Sequence, residues 1–216
     1  FQVAQASLDK FPGWSPKVCR ACKPVKKAAG ARRSRGGGGG GGGGRGRGRG
    51  RSAGGVEENL TLAQVRERYS DGPMDGIFTD GGCSPNPGPG GWGMVWVEGG
   101  EVREQLHGTQ AKTTNNQMEL QALIEAHKAL PEDAVVTIYT DSKLCVDTIT
   151  KWAPNWERNG WTKKSGEIKN LERVQELLAL HRARKGCTLQ WIAAHSGNLW
   201  NEYADSLSSA WRRDEL

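Results

Sequence analysis

From residue 75 onward, apolar positions recur with two different periods, and the switches between them outline a domain. Residues 76–81 read as a first strand. Residues 93–97 and 102–109 alternate around Glu98-Gly99-Gly100-Glu101, the signature of a hairpin turn. Residues 115–130 change to helical spacing: Met118, Ala122, Leu123, Ala126 and Leu130 share a face until Pro131 stops the run. Residues 135–140 form a β-branched strand, and residues 143–152 a helix. Residues 167–182 place Ile168, Leu171, Val174 and Leu178 at helical spacing. Residues 188–192 read as a last strand and 199–211 as a closing helix. Upstream, Thr61-Leu62-Ala63-Gln64 is a capping box that opens a short helix to about Tyr69, and Asp71-Gly72-Pro73 ends it. Pro85-Asn86-Pro87-Gly88-Pro89-Gly90-Gly91 reads as a rigid loop that cannot continue a strand.

The order of elements predicts the fold class. Three strands joined by short turns are antiparallel, whereas two strands reached through helices lie parallel to the first. The expectation is an α/β fold with a mixed five-stranded sheet and helices on both faces. In it the carboxy ends of the first and fourth strands are neighbours, where open α/β sheets place their ligands.

Charge divides the chain in two. Residues 1–55 hold 13 Lys and Arg against one acid, Asp9, for +12; the remaining 17 basic and 23 acidic residues give −6. The whole excess of positive charge therefore sits in the tail. Residues 36–44 are unbroken glycine, followed by Arg45-Gly46-Arg47-Gly48-Arg49-Gly50-Arg51. Such a segment is a flexible coil that stays solvated and holds polyanions, nucleic acid among them, without sequence preference. Four regions are expected: a basic segment over 1–30, a Gly/Arg linker over 31–55, a helical connector over 56–72 and a folded domain over 73–213. Of five cysteines, only Cys19 and Cys22 are paired by spacing. Cys-x-x-Cys is half of a tetrahedral zinc site, and sequence before Phe1 would be needed to complete it. Cys83, Cys145 and Cys187 read as buried thiols of a reducing compartment. No apolar run approaches the ~18 residues of a membrane span, so no membrane partner is expected. The ending Arg213-Asp214-Glu215-Leu216 resembles a retention signal but has no entry signal to match, and is read as coincidence.

The candidate chemistry lies in four carboxylates. Asp80 closes the first strand, Asp141 the fourth; Glu119 lies in an early helical turn and Asp205 on the last helix. Acids at the edge of apolar segments are costly unless a cation sits among them. Hard divalent ions with oxygen ligands are the natural candidates, and a pair of them suits phosphodiester hydrolysis.

Five motifs in order then resemble one family. Thr79-Asp80-Gly81-Gly82 with Asn86-Pro87-Gly88-Pro89-Gly90-Gly91-Trp92-Gly93 is similar to the opening of type 1 ribonuclease H. Thr113-Thr114-Asn115-Asn116-Gln117-Met118-Glu119-Leu120 and Tyr139-Thr140-Asp141-Ser142 follow, then Trp191-Ile192-Ala193-Ala194-His195-Ser196-Gly197 and Asn201-Glu202-Tyr203-Ala204-Asp205. The likeness covers about residues 75–212. It implies endonucleolytic cleavage of the RNA strand of RNA–DNA hybrids formed in replication or transcription, by a cytoplasmic monomer. It also implies two Mg²⁺ ions, with Mn²⁺ as substitute. By resemblance, Asp80, Glu119, Asp141 and Asp205 are the metal ligands, and His195 is a loop histidine that assists proton transfer or product release. Glu202 takes a supporting place.

Substrate contacts follow the same resemblance. Asn115, Asn116 and Gln117 supply amide groups for the minor groove, and telling RNA from DNA needs groups that read the 2′-hydroxyl. Asn86 and Thr114 fall near the hybrid backbone, and Cys83 and Ser84 offer main-chain contacts. Residues 152–164 resemble a basic protrusion that grips the DNA strand. Trp161, Lys163 and Lys164 are its expected contacts, whereas Trp152 and Trp156 are expected to pack it onto the body. The chain departs from the family at Lys143, whose ammonium is expected to favour the carboxylate charge or touch phosphate, at Ala194 in place of a glycine, and at Glu157 and Glu167, which dilute the protrusion's charge. A non-catalytic hybrid-binding module, an integrase-like core and a zinc-dependent interaction protein are the alternative readings.

Overall fold

The computed structural model describes residues 59–216. Helix α1 (Leu62–Arg68) opens on the expected capping box: Thr61 accepts from the Gln64 N–H, and the Gln64 side chain returns to the Thr61 N–H. Strands β1 (Gly76–Cys83), β2 (Gly88–Glu98) and β3 (Glu101–Thr113) form an antiparallel meander. Gly99 and Gly100 both take positive φ, as a tight turn matched to the strand twist requires. Helix α2 (Asn115–Ala129) leads to β4 (Val136–Thr140), which runs parallel to β1. Strand β5 (Cys187–Trp191) lies parallel to β4, and the sheet order is β3-β2-β1-β4-β5. The predicted mixed five-stranded sheet is the one observed.

Some boundaries differ for physical reasons. The strands run into the loop expected over residues 85–91, because Gly82 and Cys83 pair with Gly91 and Gly90. Pro89 falls at a register shift between Gly88 and Gly90, where its missing N–H costs no ladder bond. The helix predicted over 143–152 is α3 (Lys143–Asp147), followed by a widened π turn (Thr148–Trp152) and then α4 (Ala153–Arg158). Pro154 does not stop it, because it sits in the first turn of α4. Helix α5 (Leu171–Ala183) starts later than predicted, since Asn170 takes a left-handed conformation. Helix α6 (Leu199–Ser209) closes the fold with a tight turn (Ala210–Arg212).

Alternation along the strands builds two cores. Ile77, Met94 and Ile138 face α2, α3, α4 and α5; Phe78, Val95 and Val97 face α1 and α6 through Val65, Trp200, Tyr203 and Leu207. Ile77 and Phe78 are both fully buried, each contributing about 1.5–3 kcal/mol. Cys83, Cys145 and Cys187 are buried free thiols, as the sequence suggested. Behind α2, the His127 ring is buried with Nδ1 2.7 Å from the Leu123 carbonyl, which can only accept, so Nδ1 carries the proton. Its Nε2 then accepts from His181 Nδ1 at 3.2 Å. Among the described residues no helix is long and apolar enough to cross a membrane.

Candidate active site

The parallel pairing of β1 with β4 sets the site. Thr79 is in register with Thr140, so Asp80 and Asp141 follow it side by side at the carboxy edge of the sheet. Glu119 arrives from the second turn of α2. That helix can approach because Gly81 has no side chain: a Cβ there would stand 2.2 Å from the Met118 carbonyl carbon and 2.4 Å from the Glu119 nitrogen. Asp205 arrives from α6 beside Asp80.

Two serines orient the acids. The Ser142 hydroxyl donates to Glu119 Oε2 at 2.5 Å while its oxygen caps α3 through the Cys145 N–H. The Ser208 hydroxyl, one turn beyond Asp205, donates to Asp80 Oδ2 at 2.5 Å. Neither serine was singled out from the sequence. Ser142 could have been found as the helix cap that follows Asp141. Ser208 has no signal beyond its spacing of three from Asp205.

The electrostatics are those of crowded, buried acids. Burial pushes Asp141 up to about 8, helped by the negative charges of Asp80, Glu119 and Asp205 and opposed by His195. Burial also raises Asp80, against the Ser208 bond, the Gly81 N–H and His195. Glu119 is raised by burial, with the Ser142 bond opposing. Among the described residues, no ion pair takes in Asp80, Glu119 or Asp141. Oxygen donors held together at this cost fit a hard divalent cation. His195, at φ 47° in an exposed loop, places Nδ1 3.5 Å from Glu202 Oε2. Burial lowers its imidazole, but Asp205, Glu202 and Asp141 outweigh that and leave its pKa raised. Atoms of His195, Glu202 and Asp205 lie within 4.8 Å of one another, a second set of donors on the same side.

A groove of about 930 Å³ runs from the carboxylates along α2. Asn86, Thr114, Asn115, Asn116, Gln117 and Lys163 line it, together with Glu119 and Asp141. Thr114 caps α2 by accepting from the Gln117 N–H. Asn115 spends its carbonyl oxygen on the Cys83 N–H at 2.8 Å, leaving its NH₂ for the groove. Asn116 Oδ1 accepts from Asn170 at 2.6 Å, and Gln117 Oε1 accepts from Thr113 at 3.1 Å. The Cys83 and Ser84 amides, expected to serve the substrate, are instead used by Asn115 and by the Pro89 carbonyl. Trp156 packs against the core as expected and also lines the groove with Trp152, whereas Trp161 packs against the core instead of lining the groove, its N–H turned back to the Trp156 carbonyl. Lys164 is exposed and does not line the groove; Lys143, expected to support the carboxylates or touch phosphate, lines it, as do Lys169 and Asn170, which sequence reasoning did not select. Glu157 pairs with Arg182 at 2.6 Å. Cys19, Cys22 and the Arg-Gly tail lie outside the described residues.

Comparison with known proteins decides the family. The model of the RNase H family matches residues 75–212. The chain belongs to the RNase H family. It is 49% identical over 133 residues to the Ribonuclease H of Rhizobium etli, covering 61% of this chain and 87% of that one. It is 48% identical over 133 residues to the Ribonuclease H of Agrobacterium fabrum, covering 61% and 90%. Among solved structures it is similar to a type 1 RNase H with the type 2 active-site motif, at TM-score 0.52 and 29% identity over 66% of this chain and 75% of that one. The RNase H domain of PFV shares the fold at TM-score 0.55 and 23% identity, over 64% and 93%. As an RNase H family member the chain is a nuclease, a hydrolase, and its type 1 resemblance holds.

Proposed function

We propose that this RNase H cuts the RNA strand of RNA–DNA hybrids internally, with two Mg²⁺ ions held by Asp80, Glu119, Asp141 and Asp205. The single observation that carries the reading is the convergence of these four acids at one sheet edge, at the head of a groove walled by amides and indoles. When bound, such ions polarise the attacking water and neutralise charge on the leaving 3′ oxygen. Ser142 and Ser208 fix the directions of Glu119 and Asp80 beforehand, so little reorganisation is needed at reaction. His195, tied to Glu202 through Nδ1, keeps Nε2 as the atom that delivers or removes a proton. The NH₂ group of Asn115 reads hydroxyl oxygens along the minor groove, and Trp152, Trp156, Lys143, Lys163 and Lys169 hold the other strand.

The catalytic domain is taken as residues 73–213, after the connector over 56–72. The Gly/Arg linker over 31–55, with the basic segment over 1–30, adds sequence-independent affinity for nucleic acid. We place the enzyme in the cytoplasm as a monomer that clears RNA from hybrids of replication and transcription. The test is a labelled RNA–DNA hybrid with Mg²⁺, with Mn²⁺ and with chelator, beside Asp80→Asn. Internal cuts confined to the RNA strand, needing metal and lost in the variant, are expected. Binding without cleavage under either ion would falsify hydrolysis and leave a hybrid-binding module of the same fold.

A further inference from the structure

Trp191 ends β5 beside Asp141, and nearly half of it is exposed although it is a large aromatic residue. Two observations explain why an indole stands there. Its Nε1–H donates to the main-chain carbonyl of Asp141 at 3.0 Å, and the Lys143 N–H donates to the same oxygen, also at 3.0 Å. Both lone pairs of that carbonyl are therefore engaged, which fixes the peptide that carries the Asp141 side chain. The exposed ring face lies under the Lys143 ammonium, 5.9 Å from Nζ to the ring centre. Lys143 in turn lines the groove beside Asp141 and Ser142. The main chain of Ile192, next to Trp191, also bonds the Thr140 carbonyl, so the β5 end is stitched to the β4 end on both sides of the ring.

We propose that Trp191 is a positioning residue with two separate outputs: its N–H sets the Asp141 peptide, and its ring holds the Lys143 ammonium at the groove lip for a backbone phosphate. The inference rests on the hydrolase reading above and names a cation and its support for the substrate. A free lysine side chain is a loosely placed charge; over a ring it occupies one region and still faces the solvent from which a polyanion arrives. Among Phe, Tyr and Trp, only the indole combines a ring face with an N–H donor at its edge.

The two outputs separate by mutation. Trp191→Phe keeps the ring and removes the N–H. Lys143→Gln keeps the Asp141 peptide bonds and removes the charge. Trp191→Leu removes both outputs. Trp191→Phe is expected to lower kcat about three- to tenfold and to weaken binding of Mn²⁺ alone, by calorimetry, by a similar factor. Its salt dependence of hybrid binding stays unchanged. Lys143→Gln is expected to leave Mn²⁺ affinity unchanged and to raise KM for the hybrid. It reduces the slope of log Kd against log salt by about 0.7–0.9, measured by anisotropy in chelator. Trp191→Leu lowers kcat and also flattens that slope, and adding Lys143→Gln to it changes the slope no further. A wild-type Mn²⁺ affinity in Trp191→Phe, or a wild-type salt slope in Lys143→Gln, overturns the proposal. Melting curves establish that each variant is folded; should Trp191→Leu not fold, the other two variants carry the decision. Neither binding measurement requires turnover. A wild-type chain that fails to cut hybrids therefore refutes the hydrolase reading without deciding this one.

Discussion

Gly81 offers the sharpest test of how the site is assembled. It follows Asp80 in β1, and its Cα lies against the main chain of α2 at Met118 and Glu119. In Gly81→Ala the new methyl would stand 2.2 Å from the Met118 carbonyl carbon, 2.4 Å from the Glu119 nitrogen and 2.5 Å from the Met118 oxygen. Ordinary contact begins at 3.4 Å, so the two backbones must separate by about 1.2 Å (3.4 − 2.2). No side chain can rotate to absorb this, because every neighbour is backbone. The helix carries Glu119 and the strand carries Asp80, so the separation falls directly between two of the acids. Overpacking of this kind costs about 1–3 kcal/mol, or roughly 2–12 °C in Tm for a domain of this size. Misplacement by about 1 Å costs on the order of 10²-fold in rate. Gly82→Ala is the matched control, since a methyl there meets nothing within 4 Å. Initial rates on a labelled hybrid and melting curves on both variants decide the matter. If Gly81→Ala cleaves within twofold of Gly82→Ala, close approach of β1 and α2 is not what assembles the site.

Other expectations follow from the electrostatics and the groove. Burial lowers His127 to about 4 against an ordinary 6.5, so the folded state keeps it neutral while the unfolded chain takes up a proton. Stability from this site is complete above pH 6.5 and is lost as pH falls toward 4, by roughly 3 kcal/mol. Urea unfolding at pH 7.5 and 4.5 should show a smaller pH effect in His127→Leu than in wild type, and an equal effect would exclude His127 as the cause. Asp141 shows the opposite sign: with its pKa raised to about 8, metal-free stability declines as pH rises from about 4 to 8. Asp141→Asn should therefore raise the chelator-treated Tm at pH 8 by about 2–4 °C while abolishing cleavage; a lowered Tm would contradict the crowding argument. Glu202→Gln should bring the raised His195 pKa down, read by NMR titration of the imidazole. Trp152→Ala should raise KM for the hybrid about tenfold with little change in kcat, whereas Trp161→Ala should mainly lower Tm.

The sheet was legible because its strands and helices carry their periods openly: Ile77 and Phe78 alternate between two cores, and Pro131 ends α2 where the helical pattern ends. The four acids were legible because each sits at a recognisable boundary within a motif. What was not legible depends on turns and on packing across the chain. Nothing in the 152–161 segment announces the π turn at Thr148–Trp152 that carries Trp152 onto the groove, nor the reversal that folds Trp161 inward. The occupation of the Cys83 amide by Asn115 is a contact across 32 positions, invisible to local pattern. Ser208 and Asn170 likewise act on partners, Asp80 and Asn116, that only the folded sheet brings near.

The pairing of Thr79 with Thr140 has a consequence for how such a chain can change over time. Side chains alternate faces along a strand, so losing one residue within Val136–Thr140 would turn Asp141 toward the opposite side of the sheet. A lost or gained residue in the loop from Pro131 to Val135 would leave that pairing intact. Drift in length is therefore open to the connections and closed to the two central strands, and spacing within those strands is as much a requirement of the chemistry as the acids themselves.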